Sequence, residues 1–182
     1  MKIILIGIQG AGKSTQGNLL SENLNIPYLS TGHIFRELAK ERTPIGRYMK
    51  EVMNAGYLIP DDKTLEIVTE YLHREEYSEG YILDGFPRTL NQAELFQNGI
   101  DEAIYIKVSD EEALRRLGIR SVDGGGREDE TPAAIKRRIG SFHKFTEPVL
   151  DFYRKKEKLV EVDGEKSIDR IHKEILDNLG KK

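Results

Sequence analysis

The run GIQGAGKST, residues 7–15, ends in a cation and two hydroxyls behind a glycine-rich turn. Its spacing, glycine, four residues, glycine, lysine, serine, is that of a phosphate-binding loop. Backbone N–H groups at such a turn and at the helix start behind it converge on one point and form a nest for a phosphate chain. Lys13 is placed to reach the outer phosphates and Ser14 to face Mg²⁺, so the run reads as a site for ATP or GTP. A second cluster, Asp84-Gly85-Phe86-Pro87-Arg88, offers an acid that could hold Mg²⁺ through water and a guanidinium fork for a phosphate. It could also be a tight turn carrying a solvated arginine. A third, Ser30-Thr31-Gly32-His33 with Arg36 about one turn on, provides a helix cap and, with the arginine, a second anion site. Arg115, Arg116, Arg120, Arg127, Arg137 and Arg138 follow. Helical spacing puts Arg116 and Arg120 on one face, and Arg115 and Arg137 are expected to be solvated. Many cations set against two phosphate sites suit phosphoryl transfer, which needs positioning and charge neutralisation more than covalent chemistry. A phosphate acceptor, with a second pKa of about 6, would need no general base. His33, His73, His143 and His172 show no metal-ligand spacing.

These residues need a scaffold, and the sequence supplies alternating strands and helices. Apolar, β-branched runs predict strands at Lys2–Ile6, Pro27–Leu29, Tyr81–Leu83, Ala103–Val108 and Leu159–Val162. Helices are expected over 14–25, 32–42, 44–55, 62–74, 90–98, 111–117, 132–145, 148–155 and 167–179. This alternation predicts an α/β fold with a five-stranded parallel sheet between helical layers, and ligands at the carboxyl ends of the strands. Residues 30–59 lack an internal strand and read as an inserted helical subdomain. The stretch SVDGGGREDE, residues 121–130, has Val122 as its one apolar residue and reads as an exposed loop with Gly124, Gly125 and Gly126 at its tip. The core is then 1–29, 60–120 and 131–182.

With 182 residues the chain is long enough for one domain with its own core. Its net charge of −3, from 28 basic and 31 acidic residues, gives no basic excess to favour nucleic acid. The sequence has no cysteine, which excludes disulfides, thiol nucleophiles and cysteine-bound zinc. Its apolar runs are too short for a signal or membrane helix, so a soluble cytoplasmic protein is expected.

The motifs GIQGAGKSTQ, LSTGHIFRE, AGYLIPDD, LDGFPRTLNQA, GRED and FTEPVLDFY, with VDG beyond, occur in the order of the adenylate kinase family, and the chain resembles that family over nearly its whole length. The resemblance implies a P-loop nucleoside monophosphate kinase that moves a phosphoryl group between ATP·Mg and AMP, giving two ADP and balancing cellular adenine nucleotides. It implies the short-lid form without structural zinc, and a monomer. Carried over by position, Gly10, Ala11, Gly12, Lys13, Ser14 and Thr15 would cradle ATP, with Arg120 and Lys166 also on ATP. Thr31, Arg36 and Arg88 would hold AMP. Tyr57, Leu58 and Ile59, then Gly85, Phe86 and Pro87, would border its site, and Gln92 would read the adenine edge. Arg127 and Arg138 would bridge the phosphates, making Lys13, Arg88, Arg120, Arg127 and Arg138 the catalytic set. Ser14 and, through water, Asp84 would hold Mg²⁺.

Departures stand beside these matches. Gln9 replaces the family's usual proline, Ser14 its glycine and His33 its aspartate, where a neutral imidazole would meet the Mg²⁺ waters. The order LGIRS around Arg120 also differs, so Arg116 or Arg120 could be the main ATP contact. A uridylate/cytidylate-type kinase and a nucleotide-responsive binding protein are the alternatives. Thr31 and Gln92 favour adenine over the first, and Lys13, Asp84 and the lid-flank arginines favour catalysis over the second.

Overall fold

A computed structural model describes residues 1–96, 98–123, 127 and 129–180. Among these, β1 (Lys2–Ile6), β2 (Tyr28–Ser30), β3 (Tyr81–Asp84), β4 (Glu102–Lys107) and β5 (Leu159–Asp163) form one sheet in the order β2-β3-β1-β4-β5. All pairings are parallel. Strand β1 is central, and its Ile3, Ile4, Leu5 and Ile6 are buried on both faces, as an all-parallel sheet covered by helices requires. The chain passes from β1 to the edge strand β2, returns to place β3 beside β1, and then crosses to β4 and β5 on the other side, which leaves a crevice at the carboxyl end of β1. Register fixes what meets there. Leu5 pairs with Asp84, Ser30 with Asp84, and Ile6 with Tyr105.

The helices carry their own start signals. Ser30 caps α2 (Thr31–Lys40), accepting from the His33 N–H at 3.3 Å, and Thr43 caps α3 (Pro44–Asn54), accepting from Gly46 at 3.0 Å. Thr89, Ser109 and Thr131 accept likewise at the starts of α5 (Leu90–Leu95), α6 (Asp110–Val122) and α7 (Pro132–Ser141). Helix α1 (Lys13–Leu24) has no side-chain cap. It starts from Gly12, whose φ of 89° only glycine adopts freely, and its first N–H groups are left for a ligand. Helix α4 (Asp61–Leu72) follows the inserted α2–α3 pair, and α8 (Glu147–Lys155) and α9 (Ile168–Leu179) complete the helical layers.

Three helices differ most from expectation. Helix α5 stops at Leu95, because Phe96 turns out of helical geometry and sets its ring edge-on to Phe86 at 4.9 Å. Helix α6 continues past Gly118 to Val122, further than the predicted stop at 117. The long helix expected over 132–145 ends at Ser141, and Phe142–Thr146 form a π-helical turn. That turn lays Phe142 against Tyr105, with ring centroids 6.2 Å apart, and brings the Thr146 hydroxyl to the Arg88 carbonyl at 2.9 Å. π-turns commonly sit at functional sites. The glycine tip, Gly124, Gly125 and Gly126, lies outside the described residues.

His143, in the π-turn, lies between Glu147 Oε1 at 2.6 Å and Asp110 Oδ1 at 2.9 Å. The Glu147 hydrogen bond, then that of Asp110, raises its pKa above the ordinary imidazole value. A folded-state pKa above the unfolded one stabilises the fold below the unfolded value, near 6.5, and that contribution disappears as pH rises through the folded value. Thermal melts of His143→Gln and the parent chain should therefore differ most at pH 5–6 and converge by about pH 9.

Candidate active site

A cavity of about 880 Å³ lies along the carboxyl edge of the sheet. At its centre the phosphate-binding loop wraps around the end of β1. Gly10 and Gly12 both have positive φ, 91° and 89°. A Cβ on Gly10 would lie 2.8 Å from the Ala113 carbonyl, so this turn needs glycine for space as well as conformation. Gly10, Ala11, Gly12, Lys13, Ser14 and Thr15 all border the cavity. Lys13 Nζ donates to the carbonyls of Gly7 at 2.8 Å and Ile8 at 3.1 Å. Burial lowers its pKa; Asp84 opposes the shift, while Arg88, Arg127 and Arg120 add to it. An incoming anion would relieve that strain on the ammonium charge.

Asp84 ends β3 beside the loop. Its Oδ2 accepts from the Tyr28 hydroxyl at 2.8 Å, whereas its Oδ1 is buried with no hydrogen-bond partner. Burial, then the Asp84 charge, raises the Tyr28 pKa, so the phenol stays a donor. A buried carboxylate oxygen left open beside Ser14 fits a hard cation and its waters. Magnesium bound there would screen the phosphate oxygens and withdraw charge from the transferring group.

On the β2–β3 side, Arg36, Tyr57, Leu58, Ile59, Gly85, Phe86, Pro87, Arg88 and Gln92 line the cavity. Arg88 Nε donates to the Gly85 carbonyl at 2.7 Å, and the Arg88 N–H donates to Gln92 Oε1 at 2.8 Å. Burial lowers the pKa of both Arg36 and Arg88. Gln92 Nε2 donates to Asp61 Oδ1 at 2.8 Å. Each end of this amide is thus fixed by one bond and keeps one further bonding position, a donor on nitrogen and an acceptor on oxygen. Thr31 is not among the cavity-lining residues. Its side chain is fully buried and donates to the Asp84 carbonyl at 3.1 Å. His33 is also elsewhere: it is exposed and borders a separate hollow with Tyr28, Glu37, Tyr71, Arg74 and Tyr77. His33 is thus not among the residues that line the main cavity, and Tyr28 is the residue that bonds the Asp84 carboxylate.

The β4–β5 side holds Arg116, Arg120 and Lys166. Arg116 Nη2 donates to the Gly164 carbonyl at 2.8 Å and its Nε to Glu112 at 2.7 Å. Lys166 borders the cavity while its ammonium pairs with Glu174 at 2.8 Å. Arg120 pairs with Glu130 and keeps a buried Nε without an acceptor. Arg127 Nη1 lies 3.9 Å from the same Glu130 oxygen. Arg138 pairs with Asp129 and donates to the Met53 carbonyl at 2.9 Å. Arg115 is exposed, as expected, and pairs with Glu112 at 2.6 Å. Arg137 is exposed, as expected, and also bonds the Ala55 carbonyl and lies 4.4 Å over the Tyr57 ring.

Sequence reasoning gave no role to Tyr28, Asp61, Asp129, Glu130 or Thr146. Asp129 and Glu130 belong to a charged, apolar-poor stretch that reads as solvated, yet Asp129 pairs with Arg138, and Glu130 with Arg120 and Gln9. The Asp61 carboxylate gathers Thr89, Asn91 and Gln92 from 28 to 31 positions away, a link no local pattern carries.

A parallel sheet with a phosphate nest at its central strand, a free carboxylate oxygen beside it and arginines on both flanks defines a P-loop phosphotransferase of the nucleoside monophosphate kinase class. The sequence model of adenylate kinase matches residues 5–158. The chain is 39% identical to an adenylate kinase of Cyanothece sp. over 170 residues, covering 90% of this chain and 87% of that one. It is 37% identical to adenylate kinases of Staphylococcus aureus, over 98% and 99% of the two chains, and of Caldicellulosiruptor bescii, over 99% of each. The chain belongs to the adenylate kinase family. Among the described residues no helix is long and apolar enough to cross a membrane.

Gly85 gives the site its tightest test. Its φ is 83°, and a Cβ there would lie 2.6 Å from Thr31 Oγ1 and 3.1 Å from Arg88 Nη2. Gly85→Ala should cost about 1–3 kcal/mol of stability, read from the urea unfolding midpoint.

Proposed function

We propose that this cavity moves the terminal phosphoryl group of ATP·Mg to a phosphate oxygen of AMP, breaking one P–O bond and forming another to give two ADP. The observation that carries this reading is the single cavity that joins the phosphate nest, the open Asp84 oxygen and arginines from both flanks. The donor phosphates occupy the Gly10–Thr15 nest, with Lys13 on the outermost group and Ser14 and Asp84 toward Mg²⁺. Arg116 and Lys166 serve the donor base side. Arg36 and Arg88 hold the acceptor phosphate, and Arg120, Arg127 and Arg138 neutralise the group in flight. Tyr57, Leu58, Ile59 and Gln92 receive the acceptor base. Thr31 serves this site indirectly, by fixing the backbone of Asp84 ahead of Gly85. No residue need remove a proton, because the acceptor phosphate is already anionic near neutral pH.

The 212 positions aligned with the Staphylococcus relative exceed the 182 residues of this chain. That is compatible with a short lid, and the missing cysteine with a lid that holds no cysteine-bound zinc. The missing cysteine fits a cytoplasmic setting, and the chain is taken to act as a monomer.

A coupled assay for ADP formation tests the reaction directly. Lys13→Met should lower kcat by roughly a hundredfold or more, as loss of a transition-state donor does, with a smaller change in ATP affinity. Near-normal turnover would remove Lys13 from the assigned role. Gln92→Leu keeps bulk but strips both base-facing positions, so kcat/KM for AMP should fall roughly ten- to a hundredfold. The KM for ATP should stay within about twofold of the parent value. Preference of the parent enzyme for CMP or UMP would refute the adenine assignment.

A further inference from the structure

Gln9 is the residue of the phosphate-binding loop that departs from the family's usual proline, and it has work here that a proline could not do. Its Nε2 donates to Glu130 Oε1 at 2.7 Å, and its Oε1 lies 3.4 Å from Arg138 Nη1. The same Glu130 oxygen accepts from Arg120 and lies 3.9 Å from Arg127. The Glu130 side chain is only 6% exposed. One nearly buried carboxylate oxygen is therefore shared between two guanidiniums and one neutral amide, and the amide comes from the loop that receives the phosphates.

A phosphate chain in the nest competes for those guanidiniums. Each one that turns to phosphate leaves Glu130 with less positive charge, while a polyanion settles nearby. A buried carboxylate stripped of its partners is costly. The Gln9 amide carries no charge, so the phosphates do not draw it away as they draw the arginines. We propose that Gln9 is a positioning residue that keeps Glu130 hydrogen-bonded to the phosphate-binding loop while Arg120 and Arg127 pass from carboxylate to nucleotide. This rests on the reading that ATP phosphates occupy the nest between Gly10 and Thr15. In the free protein Arg120 still neutralises Glu130, so Gln9 matters little to the fold. With nucleotide bound it supplies the bond that remains.

A double-mutant cycle separates this role from simple packing. Gln9→Ala, and Gln9→Met, which keeps length without the amide, should each raise the Kd for ATP·Mg by about three- to tenfold in calorimetry. The KM for ATP should rise alongside, with kcat changing less than twofold. The melting temperature without nucleotide should stay within about 2 °C of the parent. In a Glu130→Gln background, where no charge needs a keeper, Gln9→Ala should shift Kd by less than twofold. Equal shifts in both backgrounds, or no shift in the parent background, would overturn the proposal. Failure of the parent protein to bind ATP·Mg would instead overturn the nest reading beneath it, so the two failures are distinguishable.

Discussion

Nine lysines and arginines line one cavity, among them Lys13, Arg36, Arg88, Arg120, Arg127 and Arg138, and their mutual repulsion is the constraint to which much of the structure answers. Burial and like charge both press on them; the lowered pKa values of Lys13, Arg36 and Arg88 record that pressure. The fold relieves it without filling the cavity. Carbonyl oxygens of Gly7, Ile8, Gly85 and Met53 take donors from Lys13, Arg88 and Arg138. Asp84, Asp129 and Glu130 supply the negative charge. Carbonyls stabilise a cation without neutralising it, so much of the positive potential is retained for a ligand. This is electrostatic preorganisation, in which the dipoles that fix the catalytic groups are set before the substrate arrives.

The sheet makes such crowding possible. Because β1 and β3 are paired in parallel with Leu5 opposite Asp84, the phosphate loop and the open carboxylate oxygen emerge side by side. Helix α1 begins there with its N–H groups uncapped by any side chain. The π-turn at Phe142–Thr146 then reaches the opposite wall and pins the Arg88 backbone through Thr146. Strand register, helix start and π-turn thus converge on one cavity.

Much of this was legible in the residues. The strand runs are apolar and β-branched, the caps are Ser and Thr, and the phosphate loop has a fixed spacing, so the five strands and the central nest followed from local pattern. What was not legible depends on distance along the chain. Nothing near Thr31 shows that its hydroxyl is engaged by the Asp84 carbonyl, and nothing near His33 shows that α2 carries it to another hollow. The π-turn resembles an ordinary helix in sequence because hydrogen bonding, not periodicity, distinguishes it. Asp129 and Glu130 look like solvated acids until the arginines across the cavity are placed around them. Gln9 stood out only as an exception, and its partner lies 121 positions away.

The contact between the inserted helices and α7 has a different kind of consequence. Arg137 and Arg138 bond to the main-chain oxygens of Ala55 and Met53, and Gly56 fits against the Ala134 backbone, where a Cβ would come within 2.7 Å of the carbonyl. Apart from the glycine, what the insertion offers α7 in these bonds is peptide, which every residue type supplies. The residue at 55 can therefore change without removing the carbonyl that Arg137 uses, whereas Met53 is also held by its buried side chain. The joint thus depends on the path of the main chain at 53 and 55 and on the absence of a side chain at Gly56.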